Sequence, residues 1–517
     1  MNIASLLMSV PELDRPALVF STPNKTTYTF KQVNEASSRL ADGFRKNKLC
    51  EGSRVIVLAP ISLNLYISLI AMFKLGVIPV FLDPQTRTQE LRQTIESAQP
   101  QALICSQRLN WLRWFLPGLR KISLVFLSDG NSQRSVNHLI NSSLPYSKIA
   151  DLAAEAPALI TFTGGSTDAL GSRGVIRTHG LLTAQHVALS HALPNHFTDI
   201  DLPAFPIATL HNLASGITSV IPDFPFRRPD AVQPEKILKQ VNDHGISTAS
   251  GSPAYWSAIA EHCLRHKLTL PLRRIVTGGA PVSPALMDRL QRAAPSAEIV
   301  NVYGSTEAEP VAVIKANEIL AVTKKPEALG AGIPLGRAVP ESRIRILDEN
   351  GTDLESGKVG EIWVSGEHVA RSYFANPAAD LQHKRFDAQG DLWHGMGDLG
   401  YVDGEGLLWL AGRVNMVVLR DGQAMYPVKI EMLAASLSFV RRAALIGQPD
   451  VRLGERSVLI VEFAASVITP KDWQAQLQAL CIQYGWTLDE IRWVRRLPVD
   501  VRHNSRLDYK RLKAKSF

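Results

Sequence analysis

Along most of this chain, apolar runs short enough to be strands alternate with longer amphipathic stretches, and that alternation constrains the fold more than any other feature. Arg54-Val55-Ile56-Val57-Leu58-Ala59 leads into Leu63 to Leu75, whose apolar residues recur at helical spacing, and Val77-Ile78-Pro79-Val80-Phe81-Leu82 is the next short run. Comparable runs lie at Ala102 to Cys105, Leu124 to Leu127, Ala156 to Ile160, Leu202 to Phe205, Arg274 to Thr277 and Ile299 to Val302. Strand, helix and strand in succession make parallel crossovers, so the expected class is α/β with doubly wound sheets. From Ile344 to Leu410 the texture changes to short alternating runs with turns at Glu349-Asn350-Gly351 and Asp403-Gly404-Glu405-Gly406, which predicts a small β-rich subdomain.

At 517 residues, 45% of them hydrophobic, the chain is too long for one ordinary core, and two domains are expected. The boundary is placed just past Arg413, giving a large part at 1–413 and a smaller α+β lid at 414–517. Cys50, Cys105, Cys263 and Cys481 have neither zinc-ligand spacing nor a disulfide framework, which fits a reducing cytoplasm. The most apolar region, Val55 to Leu82, is broken by Pro60, Asn64, Lys74 and Pro79 and does not read as a membrane span. No basic residue precedes Leu6-Leu7-Met8, and Glu12 and Asp14 follow it, which argues against a signal peptide.

Phe162-Thr163-Gly164-Gly165-Ser166-Thr167 follows one of the strand-like runs. Glycines let the backbone turn its N–H groups toward one point, and Ser and Thr add short donors, so a loop of this composition can grip a polyphosphate. By itself it reads equally as an ordinary loop. Three further pieces follow in order: Tyr303-Gly304-Ser305-Thr306-Glu307, Trp393-His394-Gly395-Met396-Gly397-Asp398, and Gly412-Arg413 with Lys429-Ile430-Glu431.

This series resembles the adenylate-forming enzymes, the superfamily of acyl-CoA synthetases, peptide synthetase adenylation domains and luciferases, over nearly the whole chain. The resemblance implies ATP and Mg²⁺ as cofactors. It assigns Thr163, Gly164, Gly165, Ser166 and Thr167 to the ATP phosphates, and Tyr303, Gly304, Ser305 and Thr306 to adenine and the α-phosphate. Gly279, Ala280 and Pro281 join the same nucleotide site, Glu307 is the Mg²⁺ ligand, and Asp398 and Arg413 take the ribose hydroxyls. Asn415 occupies the place where the family hinges, usually through Asp or Lys.

Two positions depart from the family pattern. After Thr167 the loop continues Asp168-Ala169-Leu170-Gly171-Ser172-Arg173-Gly174, two residues longer than usual, with Arg173 where a lysine is expected. Asp168 adds a negative charge near the phosphates, which costs affinity unless it points away or assists the cation. In Arg502-His503-Asn504-Ser505-Arg506-Leu507-Asp508, Arg506 stands where the family carries its catalytic lysine. Arginine keeps the charge but is a flat fork rather than a point donor. Arg173 and Arg506 are assigned to charge on phosphate oxygens.

Within the superfamily, Val175-Ile176-Arg177-Thr178-His179-Gly180, the run Asn212 to Pro222, Gly279-Ala280-Pro281-Val282, Tyr303 to Pro310 and Arg502-His503-Asn504 are similar to the olefin β-lactone synthetases. That branch implies adenylation of a 2-alkyl-3-hydroxy fatty acid, then closure of a four-membered lactone with loss of AMP. No base for the hydroxyl is evident; His211, in the segment where the family lines its acyl pocket, is the first candidate and His179 the second, although lone histidines are more often structural. Leu213, Ala214, Ile217, Tyr255 and Trp256 are candidate pocket residues or plain core.

The net charge of +8, with many basic residues near the C-terminus, has acidic residues interspersed and no aromatic interleaving, so nucleic acid is not expected as a partner. The partners expected are a small-molecule acid and other enzymes of a lipid or hydrocarbon pathway. An acyl-CoA or acyl-carrier ligase and a non-catalytic nucleotide-binding scaffold remain as alternatives.

Overall fold

The strand-like runs are strands because both faces of the sheets they form are covered. In the computed structural model of the chain, which describes residues 1–22, 25–83, 88–163, 173–226, 228–325, 328–464, 467–500 and 507–514, Val55, Ile56 and Val57 are buried, as are all four residues of Ala102–Cys105. Buried on both sides, such strands need no polar alternation. The helix between the first two, Leu63–Leu75, is capped by the Ser62 side chain and ends at Gly76 in the left-handed conformation.

These strands belong to a seven-stranded sheet in the order Tyr373–Phe374, Arg173–Thr178, Pro157–Thr163, Ile78–Phe81, Arg54–Leu58, Ala102–Cys105 and Leu124–Leu127. The last five are mutually parallel, and Arg173–Thr178 returns antiparallel to Pro157–Thr163. A second, larger sheet has a parallel half, running through Pro16–Phe20, Thr218–Ile221, Ile200–Pro203, Thr248–Gly251, Arg274–Gly278 and Glu298–Tyr303. It continues antiparallel through Ala312–Lys315, Ile333–Ala338, Leu408–Arg413, Leu392–Val402, Gly360–Ser365 and Arg343–Leu347. The β-rich stretch expected from Ile344 to Leu410 is thus an extension of this sheet. The strand expected at Leu202 to Phe205 is shifted to Ile200–Pro203, because Pro206 opens a helix, Pro206–Ser215, directly beyond Phe205.

A third sheet of five strands lies wholly in the C-terminal part. Gln423–Met425, Val418–Arg420, Gly454–Phe463 and Val440–Asp450 are antiparallel, and Glu490–Val494 joins parallel to Gly454–Phe463. Its own core includes Val418, Ile430, Leu445, Leu459 and Leu477. The short turn Val414–Met416, which contains Asn415, connects the large sheet to this domain. No described helix is long and apolar enough to cross a membrane.

Candidate active site

The carboxyl end of Glu298–Tyr303 delivers Tyr303 to the rim of the large sheet. Across it, the antiparallel pairing of Leu392–Val402 with Leu408–Arg413 sets Asp398 directly opposite Arg413. The Tyr303 hydroxyl donates to Asp398 Oδ2 at 2.9 Å, and Arg413 Nε lies 3.1 Å from Asp398 Oδ1. Three residues far apart in sequence therefore meet at one carboxylate. Each carboxylate oxygen can accept a second hydrogen bond, so Asp398 keeps acceptor capacity for a ligand's hydroxyls. Beside them, Gly278 could not carry a Cβ, which would stand 2.5 Å from the Val302 carbonyl oxygen, and Gly279 has φ +76°. The loop through Gly279, Ala280 and Pro281 thus turns tightly against the strand that ends in Tyr303.

Gly304 to Glu307 form a compact turn. Ser305 N donates to the Ala308 carbonyl at 2.7 Å, and Glu307 N to Ser305 Oγ at 3.2 Å. The turn drives the Glu307 side chain inward, where Oε1 accepts from the Tyr373 hydroxyl at 2.9 Å and the carboxyl is buried. The Glu307 carbonyl accepts from Ala370 N at 2.7 Å, and the Lys384 ammonium donates to the Ala370 carbonyl. Lys384 Nζ stands 5.3 Å from the centroid of the Tyr373 ring and the Arg173 guanidinium carbon 5.2 Å from it. The strand Tyr373–Phe374 pairs with Arg173–Thr178, which is how Tyr373 and Arg173 come to lie together.

The electrostatics of this cluster follow from its burial. Desolvation works against ionisation of Glu307, but His394, which is protonated only in the acid range where Glu307 titrates, together with Lys384, Arg173 and the Tyr373 hydrogen bond, overcomes it and holds its pKa at about 2. Burial pushes His394 down to about 3, so near neutrality His394 is uncharged and Lys384 and Arg173 carry the balance. Burial also pulls Lys384 down to about 8, despite the opposing charges of Glu307 and Asp380. An ionised carboxylate between two fixed cations can bind a divalent cation as one ligand among phosphate oxygens and water, which is how Mg²⁺ is usually held. Among the described residues no group of three His, Cys, Asp or Glu side chains forms a protein-only metal cage.

The sequence profile of the AMP-binding enzymes matches residues 9–374. This chain belongs to the AMP-binding enzyme family. Over 514 residues it is 31% identical to the olefin β-lactone synthetase of Xanthomonas campestris pv. campestris, covering 94% of this chain and 90% of that protein. The olefin β-lactone synthetase of Stenotrophomonas maltophilia is 29% identical over 510 residues, with 94% and 90% covered. In fold, the ATP-bound structure of MatB from Rhodopseudomonas palustris superposes with a TM-score of 0.83 at 20% identity, covering 99% of this chain and 98% of that one.

In this AMP-binding enzyme the remaining candidates separate into those near Glu307 and those elsewhere. Arg173 reaches the Glu307 cluster. Gly164, Gly165, Ser166, Thr167, Asp168 and Arg506 lie outside the described residues, as does the Thr163 side chain. His179 is a core residue: its Nδ1 accepts from Ile3 N at 3.2 Å, its ring meets Phe73 edge-on, and burial lowers its pKa to about 4. His211, on Pro206–Ser215, has its ring centroid 4.7 Å from that of His186. Burial, with the nearby His186 and Arg274, lowers its pKa to about 3, so it is neutral near pH 7 and a weaker base than an ordinary imidazole. Of the candidate pocket residues, Leu213, Ile217, Tyr255 and Trp256 are buried, and the Trp256 indole donates to the Val276 carbonyl at 3.0 Å.

Lys384, Tyr373 and His394 were not legible as site residues in the sequence. His394 sits inside the Trp393 to Asp398 motif, so its position was marked without its role. Lys384 and Tyr373 carried no signal, because a lysine in Pro377 to Lys384 reads as the solvated end of a helix until the fold buries it.

Proposed function

We propose that this enzyme uses ATP to activate a 2-alkyl-3-hydroxy fatty acid as its acyl-adenylate and then closes that intermediate to a β-lactone. The observation that carries the adenylation half is the meeting of Tyr303, Asp398 and Arg413 at one carboxylate beside the buried, ionised Glu307. Similarity to olefin β-lactone synthetases across 94% of the chain supports the second half.

In this reading Asp398 and Arg413 hold the ribose hydroxyls, Tyr303 lies against adenine, and the Gly279 to Pro281 loop shapes the base pocket. Thr306, Arg173 and Arg506 bind phosphate oxygens, and Glu307 is the protein ligand for Mg²⁺, which supplies charge neutralisation at the phosphates when bound. The substrate carboxylate oxygen bonds to the α-phosphorus while the bond to the β-phosphate oxygen breaks and pyrophosphate leaves. The 3-hydroxyl oxygen then bonds to the activated carbonyl carbon, AMP departs with its oxygen, and the hydroxyl proton passes to a base. His211 is the candidate for that base. Because nucleophile and electrophile share one molecule, the site's main task is to hold a folded conformer and exclude water. Residues 414–517 act as a lid that brings Arg506 to the nucleotide.

The test is mass spectrometry of the products formed from Mg·ATP and a 2-alkyl-3-hydroxy fatty acid, with and without coenzyme A, alongside pyrophosphate and AMP. A β-lactone made without coenzyme A is the expected result. A thioester made only when thiol is present would replace this reading with an acyl ligase, and ATP binding without pyrophosphate release would replace it with a scaffold.

A further inference from the structure

The connection between the strands Ala102–Cys105 and Leu124–Leu127 carries a surface that the proposed chemistry does not use. It holds two short helices, Leu112–Phe115 and Pro117–Arg120. On them Trp111, Trp114 and Phe115 are 54%, 72% and 66% exposed, although aromatic side chains of this size normally bury most of their area. Trp111 and Phe115 meet edge to face at 5.5 Å, and the Arg120 guanidinium carbon lies 5.5 Å from the centroid of the Trp114 ring. The rings therefore form one patch bordered by a cation.

The segment that carries the patch has charge of one sign, while the helix packed against Pro117–Arg120, Thr88–Ala98, exposes Glu96. Arg108, Arg120 and Lys121 are exposed, and among the described residues none of them forms an ion pair. No Asp or Glu occurs between Glu96 and Asp129, and Asp129 accepts from Gln107 N at 2.6 Å. Arg113 is directed inward, donating to the Ile122 carbonyl at 2.7 Å, and so fixes the first helix against the chain that follows the second. Exposed Trp and Phe flanked by Arg and Lys on a segment with no Asp or Glu of its own match the boundary of an anionic bilayer, where rings settle at headgroup depth and cations pair with phosphates. A protein partner would have to present both an aromatic-lined pocket and several carboxylates.

The patch is also well placed. Pro157–Thr163, Ile78–Phe81, Arg54–Leu58 and Ala102–Cys105 run parallel. The segment beginning at Gln107 therefore leaves the rim of the sheet at which Pro157–Thr163 ends.

We propose that the face bearing Trp111, Trp114, Phe115, Arg108, Arg120 and Lys121 docks this enzyme on an anionic membrane surface. A peripheral enzyme held there would meet amphiphilic acids where they partition. The proposal stands on the patch itself and does not depend on which acid is activated or whether a lactone forms.

Co-sedimentation of the full chain with phosphatidylcholine vesicles, with and without phosphatidylglycerol, tests it. The wild-type protein is expected to sediment with the anionic vesicles and to be released by salt. A Trp111→Ser/Trp114→Ser/Phe115→Ser variant and an Arg108→Glu/Arg120→Glu/Lys121→Glu variant should each bind about tenfold more weakly or worse. Both variants alter only exposed side chains, and an unchanged thermal midpoint and unchanged pyrophosphate release from a water-soluble acid would show that each is folded. Wild-type protein that stays in the supernatant overturns the proposal, as does binding that survives both variants. Concentration-dependent self-association abolished by the serine variant, without vesicle binding, would assign the patch to a second copy of this chain instead.

Discussion

Glu307 stays ionised in a buried position only because its neighbours are charged and polar, and that makes its partners more testable than the carboxylate itself. A hydrogen bond to a charged group contributes roughly 1.5–3 kcal/mol. Tyr373→Phe keeps the ring beside Arg173 and Lys384 but removes the bond to Glu307, so the rate of ATP–pyrophosphate exchange is expected to fall about tenfold to a hundredfold with little change in thermal midpoint. An unaltered exchange rate would mean that the carboxylate needs no positioning. Lys384, lowered to about 8, carries its charge below that pH and loses it above. The exchange rate should therefore decline as pH rises through about 8, and Lys384→Met should remove that limb while lowering the plateau. A limb unchanged in Lys384→Met would assign the decline to another group. His211→Ala should spare pyrophosphate release and slow lactone formation, and equal loss of both steps would exclude it as the base. Of these residues Glu307, Arg173 and His211 were named from the sequence but Tyr373 and Lys384 were not, because a motif marks what touches ligand and not the side chains that support it.

Among the elements, the helix Pro427–Ala434 of the C-terminal domain carries a second buried carboxyl with a defined partner. It packs against the strand Leu408–Arg413, which holds Arg413, and its Glu431 Oε1 accepts from the Tyr509 hydroxyl at 2.5 Å and from Leu445 N at 2.9 Å. One carboxylate thus joins this helix, the strand Val440–Asp450 and the helix Tyr509–Ala514. Burial raises its pKa to about 7, with the two hydrogen bonds opposing. A carboxyl raised in the folded state binds more protons there than in the unfolded chain between pH 4.5 and 7, so stability falls as pH rises through that window. Glu431→Gln should abolish this fall in the C-terminal domain, an effect on the order of a few kcal/mol at most. A wild-type and variant difference in unfolding midpoint that is the same at pH 5 and pH 8 would contradict the linkage. Lys429-Ile430-Glu431 was marked in the sequence as a family motif, but the pairing of Glu431 with Tyr509 was not readable, since it joins residues on different elements through the tertiary fold.

For the whole molecule, His179, His394 and His211 are held neutral by burial, with pKa values of about 4, 3 and 3. Each binds fewer protons folded than unfolded below its ordinary value near 6.5, so together they make stability rise with pH from about 4 to 6.5 and level off above. Glu431 acts in the opposite sense over part of this range but is one group against three. Unfolding midpoints measured across pH 4 to 7 should climb and then flatten; a flat profile between 4.5 and 6.5 would contradict their neutral burial. The sequence by itself determined the α/β class, the order of the strands along the chain, the change of texture near Ile344 and the residues of the nucleotide motifs. These are encoded locally, in hydrophobic period, turn residues and short motifs. Only the tertiary structure decided that Tyr303, Asp398 and Arg413 share one carboxylate, that Lys384 is buried against Glu307, that His179 belongs to the core, and that Trp114 faces outward on a basic surface. Burial and charge proximity depend on which elements pack together, and periodicity along one segment says nothing about what another segment brings to it.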